Sequence, residues 1–161
     1  MTDFTRTYDI TINAPVHTVF EYCRDPRHLF GGWPALEVID VTTTPDGTTA
    51  YITGKWAKGL LTEEVVREFV EVVPDERIVS TAHAEMHIFG LTKEVSEGPI
   101  FTWLFAEVDG GTKLSMIIRE KNLSALQRMS ESVSALAMAK TLHSVMADIK
   151  AGAEKQAAQS R

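Results

Sequence analysis

His83, Glu85 and His87 stand at three alternate positions of one stretch of the chain. On an extended strand that spacing puts the three side chains on one face. Two imidazoles and a carboxylate are the donor set of a non-haem iron triad. Distance opposes that chemistry. At about 3.3 Å per residue, His83 and His87 stand roughly 13 Å apart with nearly parallel side chains, whereas a metal–nitrogen bond spans about 2.1 Å. One strand cannot close all three on an ion without a bulge. The pattern therefore reads as a solvated or dimer-facing outer surface, and neither a metal nor another cofactor is expected.

Proton transfer would fall to Lys140 and His143. Lys140 lies, by helical phase, on the apolar side of the last helix. A buried lysine loses basicity and can act as a base or anchor an acidic ligand. The competing reading, in which its stem snorkels to water, is preferred. His143 borders the same face and titrates near neutral pH, although a lone histidine is more often a satisfied edge residue. Among Glu63, Glu64, Arg67 and Glu68, most charges should face solvent. Because Arg67 and Glu68 alternate, one of the two can point inward, and the sequence does not say which.

Aromatic residues supply the binding candidates. Phe101, Trp103 and Phe105 share one strand face, with Ile100, Thr102, Leu104 and Ala106 on the other. The first face can line a cavity, since aromatic rings stack on flat molecules, or fill a core. The second can cover a loop or a partner. Trp33, Tyr51 and Trp56 are candidates for the cavity's walls or mouth, where a ligand or water satisfies the polar edge of each ring. Leu136 and Lys140 would face them from the last helix. Cys23 sits on the apolar face of the first helix and reads as core rather than nucleophile. No trustworthy Ser-His-Asp order, phosphate loop or zinc cysteine cluster is present.

The elements that would hold these residues follow from periodicity. Tyr8, Ile10 and Ile12 alternate with Thr7, Asp9 and Thr11, a half-buried strand over 4–12. Asn13-Ala14-Pro15 can open a helix, Asn as cap and Pro in the first turn. Val16, Val19, Phe20 and Cys23 form its apolar face. Asp25-Pro26 ends it, a second short helical piece spans 27–30, and Gly31-Gly32 breaks that. Strands are expected at 36–43, 48–58, 61–73, 77–86, 100–108 and 113–121. Pro45-Asp46-Gly47, Pro74-Asp75-Glu76 and Asp109-Gly110-Gly111 make the turns, so neighbours pair antiparallel. The segment 87–99 is ambiguous between strand and loop. After Leu123, Ser124 can cap a helix running to about Lys155, with Leu126, Met129, Val133, Leu136, Ala137 and Lys140 on one side. Such a helix is about 45 Å long, longer than a small sheet is wide. The segment 151–161 is expected to fray.

Composition bounds the rest. The 161 residues suit one domain over 1–161,, and 44% hydrophobic residues suffice for a core,. A formal net charge of −6 argues against a broad phosphate-backbone or anionic-membrane surface,. A single cysteine cannot form an internal disulfide,. No signal peptide is visible and no apolar run reaches the ~18 residues of a membrane span, so a cytoplasmic home is expected.

The order strand, two short helices, six strands, long helix resembles the START-like, Bet v 1-like (SRPBCC) superfamily, and within it the polyketide cyclase/dehydrase family. Ile12-Asn13-Ala14-Pro15-Val16 with Val19-Phe20 looks like the family's opening. Asp25-Pro26 followed by Trp33-Pro34 resembles its helix exit. Glu71-Val72-Val73-Pro74-Asp75-Glu76-Arg77-Ile78 resembles its mid-chain hairpin, and Asp109-Gly110-Gly111-Thr112-Lys113-Leu114 its last. The resemblance implies an α+β helix-grip fold, a curved seven-stranded antiparallel sheet wrapped around the C-terminal helix, with a cavity between them. Relatives hold lipids, sterols, hormones or aromatic polyketides there, and some are enzymes. Three functions follow: binding or carriage of a small hydrophobic or aromatic metabolite, a cyclase or dehydratase using the same cavity, and a protein-interaction module. A homodimer through the second apolar strand face is compatible with each.

Overall fold

The computed structural model describes residues 4–34, 36–45, 47–56, 61–88, 91–120 and 125–161. The chain runs β1 (Phe4–Ile12), α1 (Val16–Cys23), α2 (Pro26–Phe30), β2 (Leu36–Thr44), β3 (Gly47–Trp56), β4 (Leu61–Val73), β5 (Arg77–Ile88), β6 (Leu91–Glu97), β7 (Ile100–Val108), β8 (Gly111–Glu120) and α3 (Ala125–Gln159). The strands pair antiparallel in the order β1-β8-β7-β5-β4-β3-β2, and β6 branches off this seven-strand path to pair with β5. This is the expected α+β helix-grip arrangement.

The ambiguous segment resolves as the end of β5 followed by β6. Over 77–80 β5 pairs with β7, and from His83 onward it pairs with β6, so β6 and β7 follow one another along the same edge of β5 with a shift of register beside Thr81 and Ala82. The Gly98 amide bonds at that shift, donating to the Ala82 carbonyl at 2.8 Å.

Two local expectations are corrected. Asn13 does not cap α1. Pro15 is the N-cap and makes no side-chain bond, while the Asn13 amide donates to Glu154 Oε1 at 2.9 Å. Asp25-Pro26 both ends α1 and begins α2: the Asp25 carboxylate accepts from the Arg27 amide at 2.9 Å, with Pro26 in the first turn, where a missing N–H costs nothing. The last hairpin turns at Asp109-Gly110, and Gly110 takes the left-handed φ of 81° that glycine tolerates,.

Strand alternation sorts the side chains. Ile12, Ala50, Ile52, Phe69, Ile78, Trp103, Leu114 and Met116 face one side and form the core with Val19, Phe20, Leu29 and Phe30. The described part of α3 closes that core with Leu142, Val145, Met146, Ile149 and Ala153, and α3 packs on β1, α1 and α2. The helix continues through the segment expected to fray, and Ala153 and Ala157 are buried. Among the described residues, no helix is long and apolar enough to cross a membrane.

Candidate functional site

The inner face of β4 reads Val65, Arg67, Phe69, an alternation that carries one charged group into the core side of the sheet. Arg67 is in register with Ala50 on β3 and Ala82 on β5. Two alanines beside it leave room for a guanidinium. A third, Ala84, stands opposite Val65. Where this row of small side chains meets α2, the sheet is not filled, and a cavity of about 210 Å³ remains.

Its walls come from separate elements. Phe30 at the end of α2 and Trp33 just beyond it form the roof, Leu36, Ile52 and Val65 one side, and Phe101 with the Gly98-Pro99 corner the other. The capped start of α2 fixes Phe30, whose ring meets Trp103 edge-on at 5.6 Å and lies over Phe101 at 6.2 Å. Trp33 stacks on Phe101, centroids 5.8 Å apart and planes 14° from parallel.

Arg67 is the polar feature of this wall. It is 5% exposed. Its Nη1 donates to Ser80 Oγ at 3.0 Å and to the Pro99 carbonyl at 3.3 Å. The guanidinium carbon sits 4.2 Å from the Phe101 ring centre and 5.3 Å from that of Phe30, so two ring faces attract the buried cation. Trp33 lines the same cavity, and its indole nitrogen is sealed from solvent with no acceptor among the described residues.

The sequence candidates divide. Trp33 and Phe101 line the cavity. Trp103 and Phe105 are core behind it: Trp103 packs on Phe30, Phe69 and Phe101, and Phe105 meets Phe20 of α1 edge-on at 5.4 Å. Tyr51 is on the other face of β3, 43% exposed, because Ala50 and Ile52 take the inward positions. The side chains of Trp56 and Leu136 lie outside the described residues. Lys140 and His143 are both exposed, and neither lines this cavity. Lys140 is about 160° around α3 from buried Leu142 at 100° per residue, so the inward phase extrapolated from 126–137 does not hold there. His143 meets the Tyr8 ring edge-on at 6.0 Å.

Phe30 and the Ala82–Ala84 pair escaped sequence reasoning, and the choice between Arg67 and Glu68 was left open. The available signal was Val65 and Phe69 flanking Arg67 at a spacing of two, which selects Arg67 over Glu68 as the inward residue. Among the described side chains the roof is built by α2 and Trp33, and the α3 side chains before residue 139 lie outside the described ones.

Glu85 and His87 are on the outer face with Glu64 of β4, and the ligating atoms of these three lie within 4.8 Å of one another. His87 Nε2 is 3.6 Å from Glu64 Oε2. His83 is exposed and not part of this group. Exposed charges of this kind interact weakly. Cys23 is buried, and burial pushes its thiol well above the usual range, the opposite of what a nucleophile needs.

The fold has many counterparts among solved structures. An uncharacterised protein from Rhizobium leguminosarum is 19% identical, with 96% of each chain covered and a TM-score of 0.63. The Zhui aromatase/cyclase from Streptomyces sp. R1128 is 13% identical, with 96% of each chain covered and a TM-score of 0.63. The di-domain aromatase/cyclase StfQ of the steffimycin biosynthetic pathway is 12% identical at a TM-score of 0.69; 97% of this chain matches 52% of that one. At such identities the likeness concerns the fold. No curated protein matches the sequence. A family model does, over residues 1–155, and with the helix-grip fold it places the chain in the polyketide cyclase / dehydrase and lipid transport family.

Proposed function

We propose that the chain is one ligand-binding domain that holds a small hydrophobic or aromatic metabolite in the cavity beneath α2. The observation that carries this reading is the void itself: about 210 Å³ walled by Phe30, Trp33, Val65 and Phe101. Protein interiors otherwise pack to near-crystalline density. Apolar walls with a few placed polar groups are the usual make-up of a small-molecule site. Family membership and the aromatase/cyclase likenesses agree with it in kind.

A cyclase or dehydratase is the second reading. Proton-moving chemistry needs convergent titratable groups. Arg67 is the single ionisable residue among the described residues lining the cavity, and a guanidinium does not give up its proton in the working pH range. This favours binding, with the chemistry of any turnover left to shape. An interaction module would need a filled core, which the cavity opposes.

Native mass spectrometry of freshly purified protein tests the proposal. A co-purifying apolar or aromatic compound, displaced when Phe101→Trp fills the void, is the expected result. An apo mass together with no uptake from a panel of aromatic probes would overturn it.

A further inference from the structure

We infer that the outer face of the β4–β5 pair carries a site for a divalent transition-metal ion, with Glu64, Glu85 and His87 as its protein ligands and zinc as the ion that suits them best.

The distance that rules out a triad on one strand does not apply across two. Glu64 of β4 stands directly opposite Glu85 of β5 in the register, where Cβ atoms lie about 4.5–5.5 Å apart. His87 follows Glu85 by two residues on the same face, and Glu64 is its diagonal neighbour across the ladder, within reach of long side chains. One donor atom from each of the three therefore comes within 4.8 Å of the others. His87 Nε2 is covered from solvent and lies 3.6 Å from Glu64 Oε2. That gap is too long for a good hydrogen bond. It is close to the ~3.4 Å that separates two donors on one tetrahedral ion with bonds of about 2.1 Å. Coordination takes one imidazole nitrogen and leaves the other for a partner of its own, as ligating histidines ordinarily have.

Charge points the same way, independently of that spacing. Like charges directly opposite on a ladder destabilise it. Here Glu85 has Glu64 on one side and, in the register, Glu94 of β6 on the other. A dication turns this repulsion into attraction. An imidazole beside two carboxylates suits zinc, whereas magnesium and calcium take oxygen donors. The inner face of the same strands carries Val65, Arg67, Ala82 and Ala84, so the ion would brace the cavity wall from outside. The site stands whether or not the cavity holds a guest.

Calorimetric titration of the untagged full chain, stripped with a chelator and dialysed, should find a single Zn²⁺ site, with Mg²⁺ at least about tenfold weaker. His87→Ala and Glu85→Gln should each weaken Zn²⁺ at least about tenfold. His83→Ala, which removes an exposed histidine of the same face outside the group, should leave Zn²⁺ affinity unchanged. Thermal unfolding gives a reading that a role in the bare fold would not produce. Without metal, Glu85→Gln should melt no lower than the wild type, because a like-charge pair is gone. Zn²⁺ should raise the midpoint of the wild type and not that of Glu85→Gln. No heat with Zn²⁺, binding that survives His87→Ala, or an equal loss in His83→Ala overturns the site.

Discussion

Trp103 fills the centre of the core at 1% exposure, with Phe30, Phe69 and Phe101 on its flanks. Trp103→Ala should therefore act on stability first, lowering the unfolding free energy by about 3–5 kcal/mol. That is a large share of the roughly 5–15 kcal/mol a domain has, and urea denaturation reads it directly. A loss below about 1 kcal/mol would mean the site collapses around the gap. At this scale the sequence was partly legible. Period-two alternation placed Phe101, Trp103 and Phe105 on one inward face. It could not separate lining from core, because that depends on the size of cross-strand neighbours: Ala82 and Ala84 leave space near Phe101, whereas α1 covers Phe105. Lys140 is exposed, in line with the snorkelling reading rather than the inward one, and the buried stripe of the described half is set by Leu142, Val145, Met146 and Ile149.

Strands and short helices were legible from alternation and turn chemistry, and β1, β4 and β7 have the expected bounds. β6 was not, since register with β5 is a property of the partner as much as of the segment. The element most exposed to test is α3, 35 residues with Gly152 as the glycine among them. In an ordinary helix interior, Gly→Ala gains about 1 kcal/mol. Here a Cβ at Gly152 would run into the Tyr22 hydroxyl and ring, so α1 and α3 approach closely because that atom is missing. Gly152→Ala should destabilise by about 1–3 kcal/mol despite the better propensity. Tyr22→Phe in the same chain should restore part of the loss, a coupling that a double-mutant cycle measures. Additive losses would mean the two do not meet.

Across the whole molecule, one knot joins the end of the chain to its beginning. The Lys150 ammonium donates to the Thr11 carbonyl at 2.7 Å and pairs with Glu154 at 2.8 Å. Glu154 in turn accepts from the Asn13 amide. These bonds, the one from Lys150 first, hold the Glu154 carboxyl below its usual pKa. A carboxyl with a lowered folded-state pKa adds stability above its unfolded pKa, and that contribution is lost as pH falls through the folded value. Glu154→Gln should cost about 0.5–1 kcal/mol near neutral pH, solvent screening keeping it small. The gap between variant and wild type should close below the ordinary carboxylate range in a series of denaturation curves. A gap that persists at acid pH would assign the effect to shape rather than charge.

The register shift between β7 and β6 bears on the shape of the cavity wall. Both strands pair with the same edge of β5 and are joined through Gly98-Pro99, so the wall beside Arg67 is one kinked run of chain rather than two separate strands. The Gly98 amide holds the kink to Ala82, and the Pro99 carbonyl accepts from Arg67. The bend that interrupts the ladder is thus also what turns a main-chain acceptor toward the guanidinium.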